Sequence, residues 1–273
     1  MRIVVAGASG NLGGRIAKAL TARGAEVIAV GHKSQNLEAA CAGARCVVSA
    51  AQGLHDAIVD FQGRLADAAL SAGVKRFIPS DYSTDFAPLE KGLNRNFVLR
   101  RELHEKVAGK ATARTSIYCG AFAEILGYGT PLLDRANKTV GYFEDPEWTL
   151  DFSTMDDTAA FTAAAAMDSE TPRALHCASF QVSPRELAGA AKEAFGAPFE
   201  LVKLGTLAEL KEKNAAMRAA NPQGENETFP PWQRMQYTYC MFATHHPALE
   251  NDRYPDLKWT SVVDFLKRLG ASQ

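Results

Sequence analysis

Residues 2–14 read RIVVAGASGNLGG and begin with a short run of apolar, mostly β-branched side chains. The run leads directly into glycines at positions 7, 10 and 13, and an amphipathic helix pattern continues to Ala22. This order predicts a strand, a tight turn and a helix at the start of the chain. Such a turn places backbone N–H groups against a pyrophosphate at a helix N-terminus, where the helix dipole favours negative charge.

The glycine spacing is G-x-x-G-x-x-G, which differs from the commoner G-x-G-x-x-G of dinucleotide-binding proteins. A side chain at Gly7 or Gly10 would hold the phosphates away, and one at Gly13 would push the helix off the sheet. The alternative is a turn that only lets a helix pack on a strand, but the strand–turn–helix context favours a cofactor site. We therefore predict that a dinucleotide contacts the whole turn: Gly7, Ala8, Ser9, Gly10, Asn11, Leu12 and Gly13.

The 273 residues carry 30 basic and 31 acidic side chains, which gives a net charge of −1. Because the basic residues form no block, the composition does not favour binding to nucleic acid or to an anionic membrane. The longest apolar stretch, 161–167, is too short to cross a bilayer, and the N-terminus lacks the apolar core of a signal peptide. The five scattered cysteines lack metal-ligand spacing and are typical of buried thiols in a reducing compartment. We expect a cytoplasmic protein without a metal site, and the oligomeric state stays open.

Strand and helix patterns alternate through the first half of the chain, with short connections between them. This alternation predicts an α/β fold, a Rossmann-type doubly wound parallel sheet with a small interwoven C-terminal substrate lobe. The predicted strands cover about 2–7, 26–31, 45–50, 74–78 and 113–118, and the predicted helices about 11–23, 35–42, 54–71 and 94–108. We place the dinucleotide-binding domain over 1–150 and the substrate lobe over 151–273.

The pattern loosens in the second half, where aromatic residues become denser towards the C-terminus. Asp156-Asp157 precedes an alanine-rich helix and is interpreted first as N-terminal capping. A strand is predicted over about 173–182, followed by a helix that Ser183-Pro184-Arg185-Glu186 begins and Gly196 ends. A further helix is predicted over about 207–219.

The end of the second predicted strand, Val30-Gly31-His32-Lys33-Ser34, bears on the choice of cofactor. An acidic residue there accepts from the ribose 2′-hydroxyl of NAD, whereas a basic residue accommodates the 2′-phosphate of NADP. This segment holds no acid, and His32 and Lys33 supply hydrogen-bond donors and positive charge. Although most lysines are simply solvated, the missing carboxylate favours NADP over NAD.

Residues 74–86, VKRFIPSDYSTDF, carry a family resemblance. Together with GASGNLGG, VVSA at 47–50 and DRYPDLKWTSVVDFL near the C-terminus, they make the chain similar to NmrA-like proteins. These are atypical short-chain dehydrogenase relatives that include the isoflavone and phenylcoumaran benzylic ether reductases of plants. The resemblance covers nearly the whole chain and implies a Rossmann domain that binds NADPH, with cofactor contacts from Ser49, Ala50, Pro79 and Ser80. It also implies either reduction of an aromatic small molecule or redox sensing without catalysis.

One departure from the family concerns a catalytic lysine. Reductases of this family carry the lysine in a pattern like F-x-x-K, whereas the matching stretch here, Phe97-Val98-Leu99-Arg100, ends in arginine. Arginine stays protonated and is a poor proton donor at neutral pH. Arg100 is still able to stabilise developing negative charge or to hold a substrate oxygen.

A second departure is a length deficit between Ser34 and Arg45, which leaves room for one short helix. The family usually has an additional strand and helix there, and that strand lies at the sheet edge in the order 3-2-1-4-5-6. We therefore predict that the strand at 45–50 lies beside the first strand, on the side away from the second. The second strand would then be the sheet edge.

Several side chains have a chemical and a structural interpretation. Tyr82 follows the strand at 74–78 and is either a proton donor beside the nicotinamide or an aromatic wall of the pocket, which we favour. Tyr254 and Lys258 match Tyr-x-x-x-Lys, but the proline between them argues against the helix that this motif needs. His245-His246 has no third ligand and is interpreted as a pair of surface histidines.

Two functions remain open at this point. The first is an oxidoreductase: an NADPH-dependent reductase of an aromatic, quinone-like or conjugated carbonyl small molecule. Arg100 and Tyr82 are then the catalytic candidates, with Phe86, Phe122 and Trp232 as pocket walls. The alternative is a non-catalytic NADP-sensing regulatory protein that acts through a protein partner. Arg100 favours the sensor, whereas the aromatic-rich C-terminal part favours a small-molecule pocket.

Overall fold

The computed structural model describes residues 1–110 and 112–271. The strands are β1 (Arg2–Ala6), β2 (Glu26–Val30), β3 (Cys46–Ser49), β4 (Arg76–Ile78), β5 (Ala113–Arg114), β6 (Ser116–Tyr118), β7 (Ala121–Phe122), β8 (Thr139–Phe143), β9 (Leu150–Ser153), β10 (Ala174–His176), β11 (Phe180–Val182) and β12 (Glu200–Gly205). The α-helices are α1 (Asn11–Ala22), α2 (Leu37–Cys41), α3 (Gln62–Ser71), α4 (Arg95–Val107), α5 (Met155–Met167), α6 (Pro184–Phe195), α7 (Leu207–Ala220), α8 (Pro231–Ala243) and α9 (Val262–Ala271). The short helical turns are one π-helical turn, Asp56–Phe61, and three 3₁₀ turns, Ala123–Gly127, Pro222–Asn226 and Asn251–Arg253.

The central sheet is parallel, with the strand order β2-β1-β3-β4-β5 among the described residues. Strand β1 pairs with β2 on one side and with β3 on the other. Its residues 3–6 are fully buried, as expected for a strand covered by helices on both faces. The Rossmann-type sheet is confirmed. The prediction that the strand at 45–50 pairs with the first strand and leaves the second at the edge is also confirmed.

The predicted strand over 113–118 is in fact two strands in two sheets. The N–H of Thr115 donates to the carbonyl of Phe77 in β4, and the next N–H, that of Ser116, donates to the carbonyl of Arg173. At this point the chain leaves the central sheet, and β6 pairs with β10 instead. The predicted strand over 173–182 divides in the same way, since β11 joins the antiparallel partner β9. An apolar run without a turn signal does not show where a strand changes partners.

Strands β8, β9 and β12 are absent from the sequence-based prediction. Strand β9 lies between β11 and β7, and β8 pairs with β12. The side chains of β9 are buried, and Leu150 and Phe152 pack in one apolar cluster with α6, α8 and α9. The second half therefore has its own core beside the central sheet.

Helix α5 connects the two halves, because it packs against α1 beside the central sheet. Its small buried residues, Ala159 and Ala163 among them, let the two helices approach closely. Helix α5 belongs to the second half by sequence but packs against α1 of the first half, so the two halves are interwoven. The domain limits 1–150 and 151–273 stay a prediction.

The predicted starts of α5 and α6 agree with the structure, whereas the helix predicted over about 54–71 begins as a π-helical turn, Asp56–Phe61, before α3. Thr154 is the N-cap of α5, and Asp156 and Asp157 lie in its first turn. Ser183 and Glu186 form a capping box at the start of α6, which ends at Gly196 with a φ of 73°. Within the described ranges, no helix is long and apolar enough to cross a membrane.

Candidate functional site

The turn between β1 and α1 is built from closely packed backbone. Gly7 has a φ of 79°, which L side chains rarely adopt, and a Cβ there would lie 2.9 Å from the carbonyl oxygen of Ala50. A Cβ at Gly13 would overlap the carbonyl oxygen of Gly7 and lie 2.6 Å from its carbonyl carbon. Helix α1 begins after Gly10, whose lack of a side chain leaves the first N–H groups of the helix open to an anion. This cradle fits a pyrophosphate.

One cavity of about 1450 Å³ runs from this turn to helices α7 and α8. It exceeds the roughly 300–1,000 Å³ of a typical pocket for one small molecule. Its volume therefore suits a dinucleotide together with a second compound. The sequence-predicted cofactor residues that line it are Gly7, Ser9, Gly10, Asn11, Leu12, Gly13, His32, Ala50 and Ser80.

Four other predicted cofactor residues lie outside the lining that the described residues form: Ala8, Lys33, Ser49 and Pro79. Ser49 is fully buried in β3, and its hydroxyl accepts from the N–H of Ala51 at 3.3 Å. It thus shapes the loop that does line the cavity. Lys33 is exposed, whereas the neighbouring His32 is at the cavity wall, with its ring centroid 5.3 Å from that of Phe61. His32 is therefore closer to a bound molecule than Lys33.

The two catalytic candidates, Tyr82 and Arg100, both line the inner part of the cavity. Tyr82 is 7% exposed, and its hydroxyl has no hydrogen-bond partner among the described residues. Burial raises the pKa of its phenol well above the usual value. These observations favour an aromatic wall over a proton donor at this position.

Arg100 connects the sheet to the C-terminal part of the cavity. Its Nε donates to the carbonyl of Ser80 at 3.0 Å, just after β4. Its Nη1 donates to the hydroxyl of Tyr237 on α8 at 3.2 Å and to the carbonyl of Asn96 at 3.3 Å. The guanidinium is therefore fixed at the wall between the two ends of the cavity.

A buried carboxylate lies next to Ser80. Asp81 is fully buried, and its Oδ2 lies 2.7 Å from Nε2 of His104. Burial opposes ionisation of Asp81, but the charge and hydrogen bond of His104 hold its pKa below the usual value. Asp81 therefore contributes a fixed negative charge behind the wall.

Of the predicted pocket walls, Phe122 lines the cavity, whereas Phe86 and Trp232 lie outside the lining of described residues. Phe86 is 2% exposed and stacks on Phe97, with 5.1 Å between the ring centroids. Trp232 is 1% exposed, and the guanidinium groups of Arg95 and Arg218 contact its ring, at 4.8 and 4.9 Å from the ring centroid. Their role as substrate-pocket walls stays a prediction, which the lining does not support. Aromatic density along a helix does not show which side chains face a cavity and which stabilise its outer side.

The C-terminal end of the cavity is formed mainly by residues that the sequence did not single out. They share a bulky apolar or aromatic character and come from separate segments: Tyr128, Phe143, Met155, Met217, Phe229, Met235, Tyr237 and Met241. Methionine side chains adapt to irregular apolar ligands, and the rings offer flat surfaces for stacking. Lys213 and Arg234 add positive charge to the same end.

His246 is not the surface residue that the sequence suggested. It is 1% exposed, its Nε2 accepts from the backbone N–H of Asp85 at 3.1 Å, and its backbone N–H donates to Oδ2 of Asp151 at 2.7 Å. Burial lowers its pKa. Beside it, His176 contacts Asp85 at 3.1 Å, and this hydrogen bond raises the pKa of His176. These side chains hold the segment after α8 against the rest of the protein.

The profile of the NmrA-like family matches residues 32–221. The chain belongs to the NmrA-like family. This NmrA-like protein is 27% identical over 252 residues to the bifunctional pinoresinol-lariciresinol reductase of Linum album, covering 81% of this chain and 71% of that enzyme. The resemblance inferred from the segment at 74–86 is confirmed.

Several solved structures resemble nearly the whole chain in fold. A structure of AtPrR2 with NADP⁺ and (+)pinoresinol matches with a TM-score of 0.77 and 21% identity, over 98% of each chain. A leucoanthocyanidin reductase–NADPH complex from Vitis vinifera matches with a TM-score of 0.76 and 20% identity, over 98% of this chain and 99% of that one. An isoflavone reductase matches with a TM-score of 0.76 and 19% identity, over 98% of each chain. At these identities the likeness shows the fold.

Proposed function

We propose that this protein is an NADPH-dependent reductase that transfers a hydride to an aromatic, quinone-like or conjugated carbonyl compound. One observation carries the proposal: a single cavity joins the backbone cradle at the β1–α1 turn to an end lined by aromatic and methionine side chains. A nicotinamide and a flat apolar substrate fit side by side in such an enclosure. The relatives support the same class, since their names include reductases and complexes with NADP⁺ or NADPH.

The cofactor-binding residues follow from the cradle. The N–H groups at the start of α1 hold the pyrophosphate, and His32 with Lys33 provides donors and charge for the adenosine 2′-phosphate. Ala50 and Ser80 line the wall farther along the carboxyl edge of the sheet, where the nicotinamide of such folds lies. Bound there, NADPH supplies the hydride.

The substrate end contributes orientation, exclusion of water and charge. Phe122, Met155 and Met241 present apolar surface, which strengthens electrostatic interactions by keeping water out. Arg100 stabilises negative charge that develops on a substrate oxygen as hydride arrives. Tyr82 completes the aromatic wall. A substrate with an aromatic ring is also in keeping with pinoresinol, which is named as a ligand of one fold relative.

The test is an NADPH titration followed by a turnover screen over quinones and aromatic enals. We expect NADPH to bind more tightly than NADH and at least one acceptor to be reduced with NADPH consumption. A Gly13→Val variant, whose side chain fills the cradle, serves as the blank for uncatalysed reduction. Tight binding of NADPH without reduction of any acceptor would contradict the reductase and favour the NADP sensor with a protein partner.

A further inference from the structure

We propose that the hydroxyl of Tyr237 donates the proton in this reduction and that Asn96 is a positioning residue that aims it. Arg100 aims the same hydroxyl in addition to stabilising charge on the substrate oxygen. The inference rests on the proposed reductase function, and it assigns a proton donor in a chain where arginine occupies the position of the family lysine. Tyr237, Arg100 and Asn96 all line the same cavity.

Two donors point at the phenol oxygen of Tyr237. Nη1 of Arg100 lies 3.2 Å from it, and Nδ2 of Asn96 lies 3.3 Å from it. A guanidinium has five N–H donors and no acceptor, so Arg100 cannot receive the phenol proton. The hydrogen bond from Arg100 therefore occupies one acceptor position of the Tyr237 phenol oxygen.

The orientation of the Asn96 amide is fixed by two other contacts. Its Nδ2 also donates to the carbonyl of Thr228 at 3.3 Å, and its Oδ1 accepts from Nε of Arg95 at 3.1 Å. A flipped amide would place oxygen against the Thr228 carbonyl and N–H against a guanidinium N–H. The nitrogen therefore faces Tyr237, and Asn96 is a second donor to the phenol oxygen.

Because the phenol oxygen accepts from both neighbours, its single hydrogen points away from them. The side chain lines the cavity, and its ring is held by a T-shaped contact with Phe97, at 5.3 Å between centroids and 86° between planes. Accepting a charge-assisted and a neutral hydrogen bond polarises the O–H group. Tyr237 thus combines a fixed position, a polarised O–H bond and a proton directed at the cavity.

Arg100, Tyr82 and Tyr128 do not meet these conditions. Arg100 keeps its proton under all ordinary conditions. Tyr82 has a buried hydroxyl without a partner among the described residues, and burial raises its pKa. Tyr128 is 72% exposed and lies at the rim.

The proposed step is balanced as follows. Hydride forms a C–H bond at the electrophilic carbon of the substrate, and an electron pair moves to the substrate oxygen. That oxygen takes the Tyr237 proton, and the resulting phenolate is stabilised by the hydrogen bonds from Arg100 and Asn96. The substrate gains one hydride and one proton, the cofactor is oxidised to NADP⁺, and water returns a proton to Tyr237 through the open cavity.

The kinetic test compares Tyr237→Phe with Tyr239→Phe, a change of the same size on the same helix. Tyr239 faces a separate cleft near Gly92 and Lys211, so removal of its hydroxyl leaves turnover unchanged. Loss of general acid catalysis lowers kcat by about 10²-fold or more in Tyr237→Phe. The NADPH dissociation constant stays at the wild-type value in both variants. Equal kcat in wild type and Tyr237→Phe would overturn the proposal while leaving the reductase function intact.

An equilibrium measurement tests the same donor without turnover. The probe is 4-nitrophenolate, titrated by absorbance into the NADP⁺-loaded protein at a pH where the probe is ionised. We expect about tenfold weaker binding to Tyr237→Phe than to wild type and to Tyr239→Phe, as one hydrogen bond to a charged group predicts. Equal binding to all three proteins, or none to wild type, would overturn the proposal. A wild type that reduces no acceptor but binds the probe through Tyr237 would refute the reductase function instead.

Discussion

The two ends of the cavity are built in different ways. The cradle at the β1–α1 turn is made of backbone from one contiguous stretch, and its function depends on side chains that are missing at Gly7, Gly10 and Gly13. The substrate end is made of side chains from β7, α4, α7, α8 and the turns between them. The first end is therefore visible in a short segment of sequence, whereas the second exists only once the chain has folded.

The largest effect is expected at the backbone cradle. Gly13→Val forces a side chain into the carbonyl of Gly7, and NADPH binding should be lost. Gly189→Ala on α6 is the control, because an added methyl group there meets no described atom within 4 Å. Calorimetric titration with NADPH, after circular dichroism has confirmed folding, measures the effect. Wild-type affinity in Gly13→Val would refute the cradle.

At the side-chain end, Arg100→Ala should reduce turnover and leave cofactor affinity almost unchanged. One well-placed charge accounts for about 2.7–4 kcal/mol, or a rate effect of about 10²–10³-fold. Arg100→Lys restores the lysine of the family and retains the charge, so it should recover part of the rate. A loss of NADPH affinity without a change in kcat would instead make Arg100 a cofactor ligand.

A smaller effect is expected at the adenosine end of the cradle. Lys33→Asp should change the ratio of the NADPH and NADH dissociation constants by about tenfold, as expected for a charge reversal near a phosphate in water. The preference for NADPH would then be lost or inverted. Lys18→Asp changes the net charge equally on the exposed side of α1 and should leave the preference unchanged. The ratio of the two dissociation constants is the measurement. If the wild type binds both cofactors equally and Lys33→Asp changes nothing, the argument from the 2′-phosphate fails.

The smallest effect is a pH-dependent contribution to stability that lies outside the cavity. The hydrogen bond with Asp85 raises the pKa of His176 in the folded protein. The resulting stabilisation is fully present below the unfolded pKa of about 6.5 and is lost as the pH rises through the folded pKa. His176→Gln should therefore lower the free energy of unfolding by about 1 kcal/mol in slightly acidic buffer and by less in alkaline buffer.

Urea denaturation at the two pH values measures this difference. His55→Gln is the matched control, because His55 also contacts two carboxylates, Asp60 and Glu102, but on the exposed surface. His55→Gln should lower the free energy of unfolding by less than His176→Gln at both pH values, since water screens exposed ion pairs. A His176→Gln effect that grows with pH would contradict the assigned direction.

The comparison also explains what the sequence could predict. The β1–α1 turn and the edge position of β2 follow from local patterns: glycine spacing, strand periodicity and the short 34–45 connection. The strand change at Thr115 and the burial of His246 depend on partners far along the chain, Arg173 and Asp151 among them. Local periodicity carries no information about such partners.

The same limit applies to the site. Tyr237 was one aromatic residue among several near the C-terminus, and nothing local separates it from Trp232. Only the fold brings its hydroxyl to Arg100, which is 137 positions away. Arg100 is a sequence signal, because it occupies the position where the family resemblance implies a lysine. A chain without that lysine needs another proton donor.

The central claim is that one cavity brings the reactive carbon of NADPH to an aromatic or quinone-like acceptor. The most direct test uses NADPH deuterated on each face of C4 in turn, with an acceptor from the turnover screen and mass spectrometry of the product. We predict that one deuterium is transferred from one face only, with Gly13→Val giving no labelled product. Label from both faces equally, or NADPH binding without any labelled product, would contradict the account.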